Sequence, residues 1–191
     1  MATLVRRHAT YEDLLLLSEE PIAEIVDGSL YTSPRPSIQG SVAAFALSAA
    51  LGGASPLRHG NRRGWWILFQ PELQLADDIL VADLAGWRRE RLARPPATLA
   101  IDLAPDWVCE IVCPETERFD RAYKLPAYAR HGISYAWLVS PAARSLEALR
   151  LEGGCFRLLG TFAEDALVQV EPFAAARLDL LSLWGESPPD A

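Results

Sequence analysis

The sequence predicts a mixed α/β fold, a mixed sheet flanked by helices, and three observations carry that prediction. Two runs of strand length, the continuous apolar Ile79-Leu80-Val81-Ala82 and the largely apolar Trp107 to Val112, read as strands covered on both faces. A longer stretch, from about Ser37 to Leu51, repeats its apolar residues at helical spacing. Between two short N-terminal strand candidates stands Asp27-Gly28, the strongest short hairpin signal in the chain.

Taken in order, Thr10 with Asp13 three residues later opens a short helix as a capping-box variant, with Leu14, Leu15 and Leu17 turned inward. Ile22 to Val26 reads as a strand, Asp27-Gly28 as its turn, and Leu30-Tyr31 as the return. Pro34 and Pro36 break the chain before the long helix, which Gly52-Gly53 should end and whose Ile38, Val42, Phe45, Ala46 and Ala49 should face a sheet. Trp65 to Phe69 forms a strand, interrupted at Pro71 and resumed through Leu73 and Leu75. After the run at Ile79 comes a basic, proline-containing loop from Arg88 to Ala97, and then the run at Trp107. Pro126 fits only the first turn of a helix, so the next helix should start near Arg121 or Ala122 and end at Gly132, with Lys124 in its first turn. Tyr135 to Val139 is a further buried strand. Leu146 to Leu151 and Phe156 to Leu159 form a hairpin around Gly153-Gly154, and a short helix near Leu178 to Leu183 closes the fold. Residues 1–185 are expected to form one domain and residues 186–191 a disordered tail.

A chain of 191 residues, half of them hydrophobic and 23% charged, is long enough for a sizeable core and unlike a disordered protein. No run of 18 apolar residues exists, so no spanning helix is expected. Tyr11, Glu12 and Asp13 occupy the place where a signal peptide needs its apolar region, so the expected location is the cytoplasm. Cys109, Cys113 and Cys155 give no disulfide framework and read as buried, inert thiols rather than a zinc site. The net charge of −7 argues against coating nucleic acid through bulk charge, while leaving room for a local basic groove beside a metal. Of 18 basic residues 17 are arginine, so Lys124, the one lysine, draws attention as a place where a compact ammonium serves and a guanidinium does not.

Two carboxylates interrupt strands that otherwise read as buried: Asp83 ends the run Ile79 to Ala82, and Glu110 lies inside Trp107 to Val112. An unpaired buried carboxylate costs on the order of several kcal/mol, so a compensating group is required. One reading supplies a magnesium ion, which takes one or two carboxylates along with substrate phosphate oxygens. The other supplies an arginine or Lys124 in a buried ion pair. Lys124, from the helix after the Glu110 strand, could return to the sheet end and orient or deprotonate an attacking water. Glu24, in the strand before Asp27-Gly28, is a fourth candidate, with an exposed strand carboxylate as its alternative.

These residues carry a resemblance. Glu24-Ile25-Val26-Asp27-Gly28, Val81-Ala82-Asp83-Leu84-Ala85-Gly86-Trp87, and Pro105-Asp106-Trp107-Val108-Cys109-Glu110-Ile111 stand in order. They are followed by Asp120-Arg121, Lys124, Tyr128-Ala129-Arg130 and Tyr135-Ala136-Trp137-Leu138-Val139. From Tyr11 to Trp184 the chain resembles the Uma-type family of bacterial restriction endonucleases, within the PD-(D/E)XK nuclease superfamily. The resemblance implies a restriction-endonuclease-like fold and Mg²⁺- or Mn²⁺-dependent phosphodiester hydrolysis by a metal-activated water. It implies Asp83, Glu110 and the backbone carbonyl of Ile111 as metal ligands, and Asp83, Glu110, Lys124 and Glu24 as the catalytic set. A nucleic-acid substrate (DNA) and a homodimer are also implied, with no membrane partner. The lysine usual two residues after the glutamate would fall at Val112, and Lys124 takes its place. Three departures stand out: Ala82 where a proline is usual, Cys113-Pro114-Glu115-Thr116 where Ser-Pro-Ser-Thr is usual, and Ile38 where a histidine is common.

Arginines supply candidate phosphate contacts: Arg58, Arg62 and Arg63 before Trp65-Trp66, and Arg88, Arg89, Arg91 and Arg94 in the later loop. Solvated surface is the plainer reading of both clusters, and strand core the plainer reading of the tryptophans. The expected function is therefore a metal-dependent endonuclease. The alternative is a nuclease-fold module that binds nucleic acid or protein without turnover.

Overall fold

The computed structural model describes residues 1–17, 21–54 and 64–186. In chain order the strands and helices begin with β1 (Thr3–Arg7), α1 (Tyr11–Leu15), β2 (Ile22–Val26), β3 (Ser29–Ser33) and α2 (Ile38–Ala54). The middle of the chain is strand: β4 (Trp65–Phe69), β5 (Glu72–Leu75), β6 (Asp78–Val81), β7 (Leu84–Arg88), β8 (Ala100–Ile101) and β9 (Trp107–Ile111). There follow α3 (Glu117–Phe119), a π-helical turn Asp120–Lys124, α4 (Leu125–Arg130), β10 (Tyr135–Ser140), β11 (Ser145–Glu152) and β12 (Cys155–Ala163). Last come β13 (Leu167–Val168), β14 (Leu178–Asp179) and a 3₁₀ turn, Leu180–Trp184. The α/β class holds, but the strands form two mixed six-stranded sheets, ordered β1-β3-β2-β6-β5-β8 and β12-β11-β10-β9-β7-β4.

The first sheet starts from local signals. Thr10 and Asp13 form the reciprocal capping box, with the Thr10 amide donating to Asp13 Oδ2 at 2.8 Å. Leu14 and Leu17 pack beside Ile25, Leu30 and Ile79, whereas Leu15 is exposed, because one face of so short a helix is all that meets the sheet. β2 and β3 pair antiparallel around Asp27-Gly28, both at positive φ, which matches the right-handed strand twist.

The long helix forms, yet with the opposite face inward. Ala43, Ala44, Leu47 and Leu51 lie buried against the second sheet, while Ile38 is 85% and Phe45 76% exposed and Val42 is exposed as well. Small residues let the backbone approach the broad aromatic surface of Trp107 and Trp137, and the helix runs through Gly52-Gly53 to Ala54.

β4 to β7 form one long hairpin folded across a corner. β4 pairs with β7 in the second sheet, and β5 pairs with β6 in the first. The chain changes sheets at Gln70-Pro71 on the way out and at Ala82-Asp83 on the way back, the usual device for turning a sheet corner. The two crossings are tied, Gln70 N–H donating to the Asp83 carbonyl at 3.0 Å. Proline breaks the ladder at the outward crossing, where it removes a donor.

β9 and β10 pair in parallel, β9 also pairing antiparallel with β7, so both are interior strands. Along β9, Trp107, Cys109 and Ile111 face α2. Val108 faces the other way, toward Phe119, Ala127 and Tyr128 of the later helical segment. Covering on both faces explains the apolar run, and the alternation puts Glu110 on the Val108 face.

The helical segment begins at Glu117, not near Arg121, and Pro126 lies well inside it. The turn ahead of Pro126 is π-helical, Asp120–Lys124, and widening the helix there relieves the clash that a proline ring makes with the carbonyl four residues back. The closing hairpin β11–β12 forms as expected around Gly153-Gly154. Cys109 is buried, Cys113 half-buried, and Cys155 is exposed at the hairpin turn, so the expectation of buried thiols fails at that last position. Glu186 is bound by Arg144, and residues 187–191 of the expected tail lie outside the described residues. Among the described residues no helix is long and apolar enough to cross a membrane.

Candidate active site

The four predicted site residues converge at the sheet corner. Glu24 comes from β2, Asp83 from the return crossing, Glu110 from β9 and Lys124 from the end of the π-helical turn. All four line one cavity of ≈ 40 Å³ together with Ile22, Ser33, Arg35, Ile111, Thr116 and Asp120.

Lys124 is its centre. Only 4% exposed, it donates to the Val81 carbonyl at 2.8 Å and to Glu110 Oε2 at 2.9 Å, and lies 3.2 Å from Glu24 Oε1. Those three acceptors match the three hydrogens of an ammonium. Glu24 Oε1 also accepts the Val81 N–H at 2.9 Å, so one residue of β6 is held from both its amide and its carbonyl. Glu110 Oε1 accepts the Tyr128 hydroxyl at 2.5 Å. Lys124 and Tyr128, four residues apart on one helix face, thus fix the two oxygens of one carboxylate. Asp83 Oδ2 accepts the Ile111 N–H at 2.8 Å. The β7–β9 register sets Leu84 opposite Cys109, so its continuation sets Asp83 opposite Glu110. Since the N–H and C=O of a strand residue point to the same edge, the Ile111 carbonyl also faces the Asp83 side.

Electrostatics set the site apart from an ordinary ion pair. Glu24, Asp83, Glu110 and Asp120, four buried or nearly buried carboxylates, surround one ammonium. Burial raises the pKa of Glu24 and of Asp83, with Lys124 opposing it in both, and raises Glu110 well above the carboxylate range. Asp120 is pushed up to about 6, again by burial. Burial alone would lower Lys124, but Glu110 and Glu24 outweigh it and hold the amine protonated. Gln70 stands close enough to Asp83 to lower its pKa, although its Nε2 is buried and makes no hydrogen bond of full geometry.

A divalent cation fits this donor set in charge. Among the described residues no three His, Cys, Asp or Glu side chains are disposed to hold a metal. Magnesium asks for less: one or two carboxylates, the remaining places going to water and substrate oxygens. Asp83 and Glu110, opposite one another beside the Ile111 carbonyl, meet that requirement, and the excess of buried carboxylates over ammonium is the charge a dication offsets.

Arg88 and Arg89 do not converge here. Arg88 ends β7 at the far end from Asp83, five residues or roughly 17 Å of strand away, and lies 5.4 Å from the Trp65 ring. Arg89 stacks on Trp66 at 4.2 Å, half-buried, a packing role as much as a surface one. Arg58, Arg62 and Arg63 lie outside the described residues. Of the three departures, Ile38 is exposed on α2, Glu115 is exposed, and Ala82 is buried at the return crossing, where a small side chain fits the core. Asp120, Tyr128, Ser33 and Gln70 were not among the site residues expected from sequence. Tyr128 was findable from its spacing to Lys124; Ser33 and Gln70 carry no local signal.

A corner between two mixed sheets, with buried acids on adjacent strand ends and a lysine supplied by the following helix, defines a chain of the restriction-endonuclease-like fold class. The family model described as "putative restriction endonuclease", Uma2, matches residues 8–181, and the chain belongs to that family. Its structure is similar to a crystal structure of a "putative nuclease belonging to DUF820" from Anabaena variabilis: 22% identity, 93% of this chain and 98% of that chain covered, TM-score 0.74. No curated protein matches.

Proposed function

We propose that this chain hydrolyses phosphodiester bonds of nucleic acid, DNA in the first instance, with a divalent cation at the pocket of Asp83 and Glu110. The observation that carries the reading is the set of four buried or nearly buried carboxylates about one ammonium at the sheet corner. Asp83, Glu110 and the Ile111 carbonyl would hold Mg²⁺ or Mn²⁺. Such an ion supplies Lewis-acid stabilisation of charge on phosphoryl oxygens and acidifies water. The protein's own groups do the positioning. Ile111 N–H fixes Asp83, while Tyr128 and Lys124 fix the two oxygens of Glu110. Lys124, which donates to the Val81 carbonyl and Glu110 and lies against Glu24, would orient the attacking water and balance charge. Glu24 and Val81 hold Lys124 in place. A homodimer is part of the proposal; light scattering should return twice the 21.0 kDa chain mass.

The rival reading, a binding module without turnover, is favoured by one observation: Lys124 already occupies both Glu110 and Glu24. Thermal unfolding with and without millimolar Mn²⁺, on wild type and on Asp83→Asn/Glu110→Gln, separates the two. A ligand at a hundred times its Kd that binds only the folded state stabilises it by about 2.7 kcal/mol. A shift in wild type that the double variant lacks, followed by metal-dependent cleavage of DNA, supports the nuclease. A shift without cleavage of DNA or RNA supports the module, and no shift in either protein removes the metal site.

A further inference from the structure

We infer that Ser33 is a substrate-contacting residue of this pocket, its hydroxyl donating to a non-bridging oxygen of the bound phosphodiester. The inference rests on the nuclease reading and goes beyond it by naming the group that meets the substrate rather than the cation.

Ser33 is the last residue of β3, opposite Ile22 of β2. Strand alternation puts its side chain on the same face as Tyr31, which packs on Phe119 and Tyr123 of the helical segment. Its side chain is thereby directed to the region of Thr116, Asp120 and Lys124, with which it lines the cavity. The residue is 7% exposed, and its Oγ has no hydrogen-bond partner. Buried hydroxyls nearly always have one, and an orphan costs stability, so an unpaired Oγ on a residue that lines a polar cavity points to a group that arrives later.

The size and chemistry of the cavity say what that group is. A volume of ≈ 40 Å³ has room for a few water-sized groups, such as a cation and a protruding phosphate oxygen, and not for a base or a sugar. The inner residues of the pocket contribute carboxylates, while the segment Ser33-Pro34-Arg35-Pro36 contributes a hydroxyl and a guanidinium. A neutral donor suits this place. A second buried cation would compete for the carboxylates that the metal needs, whereas a hydroxyl can bond a phosphate oxygen and leave them available. The flanking prolines fix the backbone of the segment and reduce what ordering would cost on binding.

The test compares wild type, Ser33→Ala and Ser33→Thr by three readouts. Fluorescence anisotropy, with Ca²⁺ in place of Mg²⁺, uses labelled 24-nucleotide duplex DNA, single-stranded DNA and single-stranded RNA. Thermal unfolding is followed without metal and with Mn²⁺. Ser33→Ala should bind the preferred nucleic acid roughly five- to tenfold more weakly, as loss of one hydrogen bond requires, with Ser33→Thr restoring most of the affinity. All three proteins should keep the same Mn²⁺-dependent shift, and metal-free Ser33→Ala should melt no lower than wild type, since no folded-state bond is lost. Wild-type affinity in Ser33→Ala overturns the inference, and so does a metal-free melting temperature that falls, because the hydroxyl would then have a structural partner. If wild type binds none of the three nucleic acids, or shows no metal shift, the nuclease reading fails and this inference with it.

Discussion

Lys124 commits all three ammonium hydrogens to acceptors from three different elements, so its contribution is largest where it is removed. Lys124→Met would leave Glu24, Glu110 and Asp120 buried without compensation. Breaking a buried pair from one side typically costs about 3–5 kcal/mol, which urea unfolding of metal-free protein should register. A loss under 1 kcal/mol would mean that water reaches the cluster. Asp120 gives a signed pH effect. Its pKa is about 6 in the folded chain against an ordinary 3.8. The folded state therefore carries more protons than the unfolded state across that interval, and the stability this group contributes at low pH is lost as pH rises from about 4 to about 6. Glu24, Asp83 and Glu110 act in the same direction. In chelator-treated protein, Asp120→Asn should flatten part of the decline in unfolding free energy over that range, and equal slopes in the two proteins would refute it.

The folded-over hairpin β4–β7 is the element that makes the site, because its corner takes Asp83 out of the ladder and lets its carboxylate meet the Ile111 amide. Gly86, in the middle of β7, keeps that hairpin close to β9. A methyl there would stand 3.1 Å from Trp107 Cε3 and from Ile67 Cδ1, and 3.2 Å from Trp65 Cε3. Trp107 is fully buried and has no room to yield. Gly86→Ala should thus destabilise by about 1–3 kcal/mol, the usual range for overpacking, measured as a fall in the urea midpoint at unchanged slope. Strand-length apolar runs, Asp27-Gly28 and the Thr10–Asp13 cap were legible because each is local. What sequence could not give is tertiary choice. Which face of α2 turns inward depends on the flat aromatic surface it meets, and Ala43, Ala44 and Leu47 fit that surface more closely than Phe45. Pro126 points to a helix start near Arg121 or Ala122, because a π-helical turn that admits a proline deep in a helix has no signature in composition. Asp83, Glu110, Lys124 and Glu24 were legible as charged residues in apolar surroundings. Ser33 and Gln70 were not, because a polar residue at a strand end is ordinary until its partners are known to be missing.

At the scale of the molecule, charge decides how nucleic acid could approach. The chain carries a net −7, and its pocket adds buried carboxylates at the point where a phosphate would enter. The arginines of the β7 end lie far from that point. Affinity for nucleic acid should accordingly depend on the divalent cation more steeply than on monovalent salt. With EDTA at 100 mM NaCl, binding in the anisotropy assay should vanish, and Ca²⁺ should restore it. Binding that persists in EDTA and falls by orders of magnitude with added NaCl would instead indicate a basic surface making many phosphate contacts.

The single lysine has one more consequence. A protease that cuts only after lysine has one target in this chain, the Lys124–Leu125 bond, which lies in the helical segment with Lys124 4% exposed. Cleavage there requires the helix to open, so digestion of the native protein yields two fragments at a rate set by unfolding, and a bound dication at the pocket should slow it.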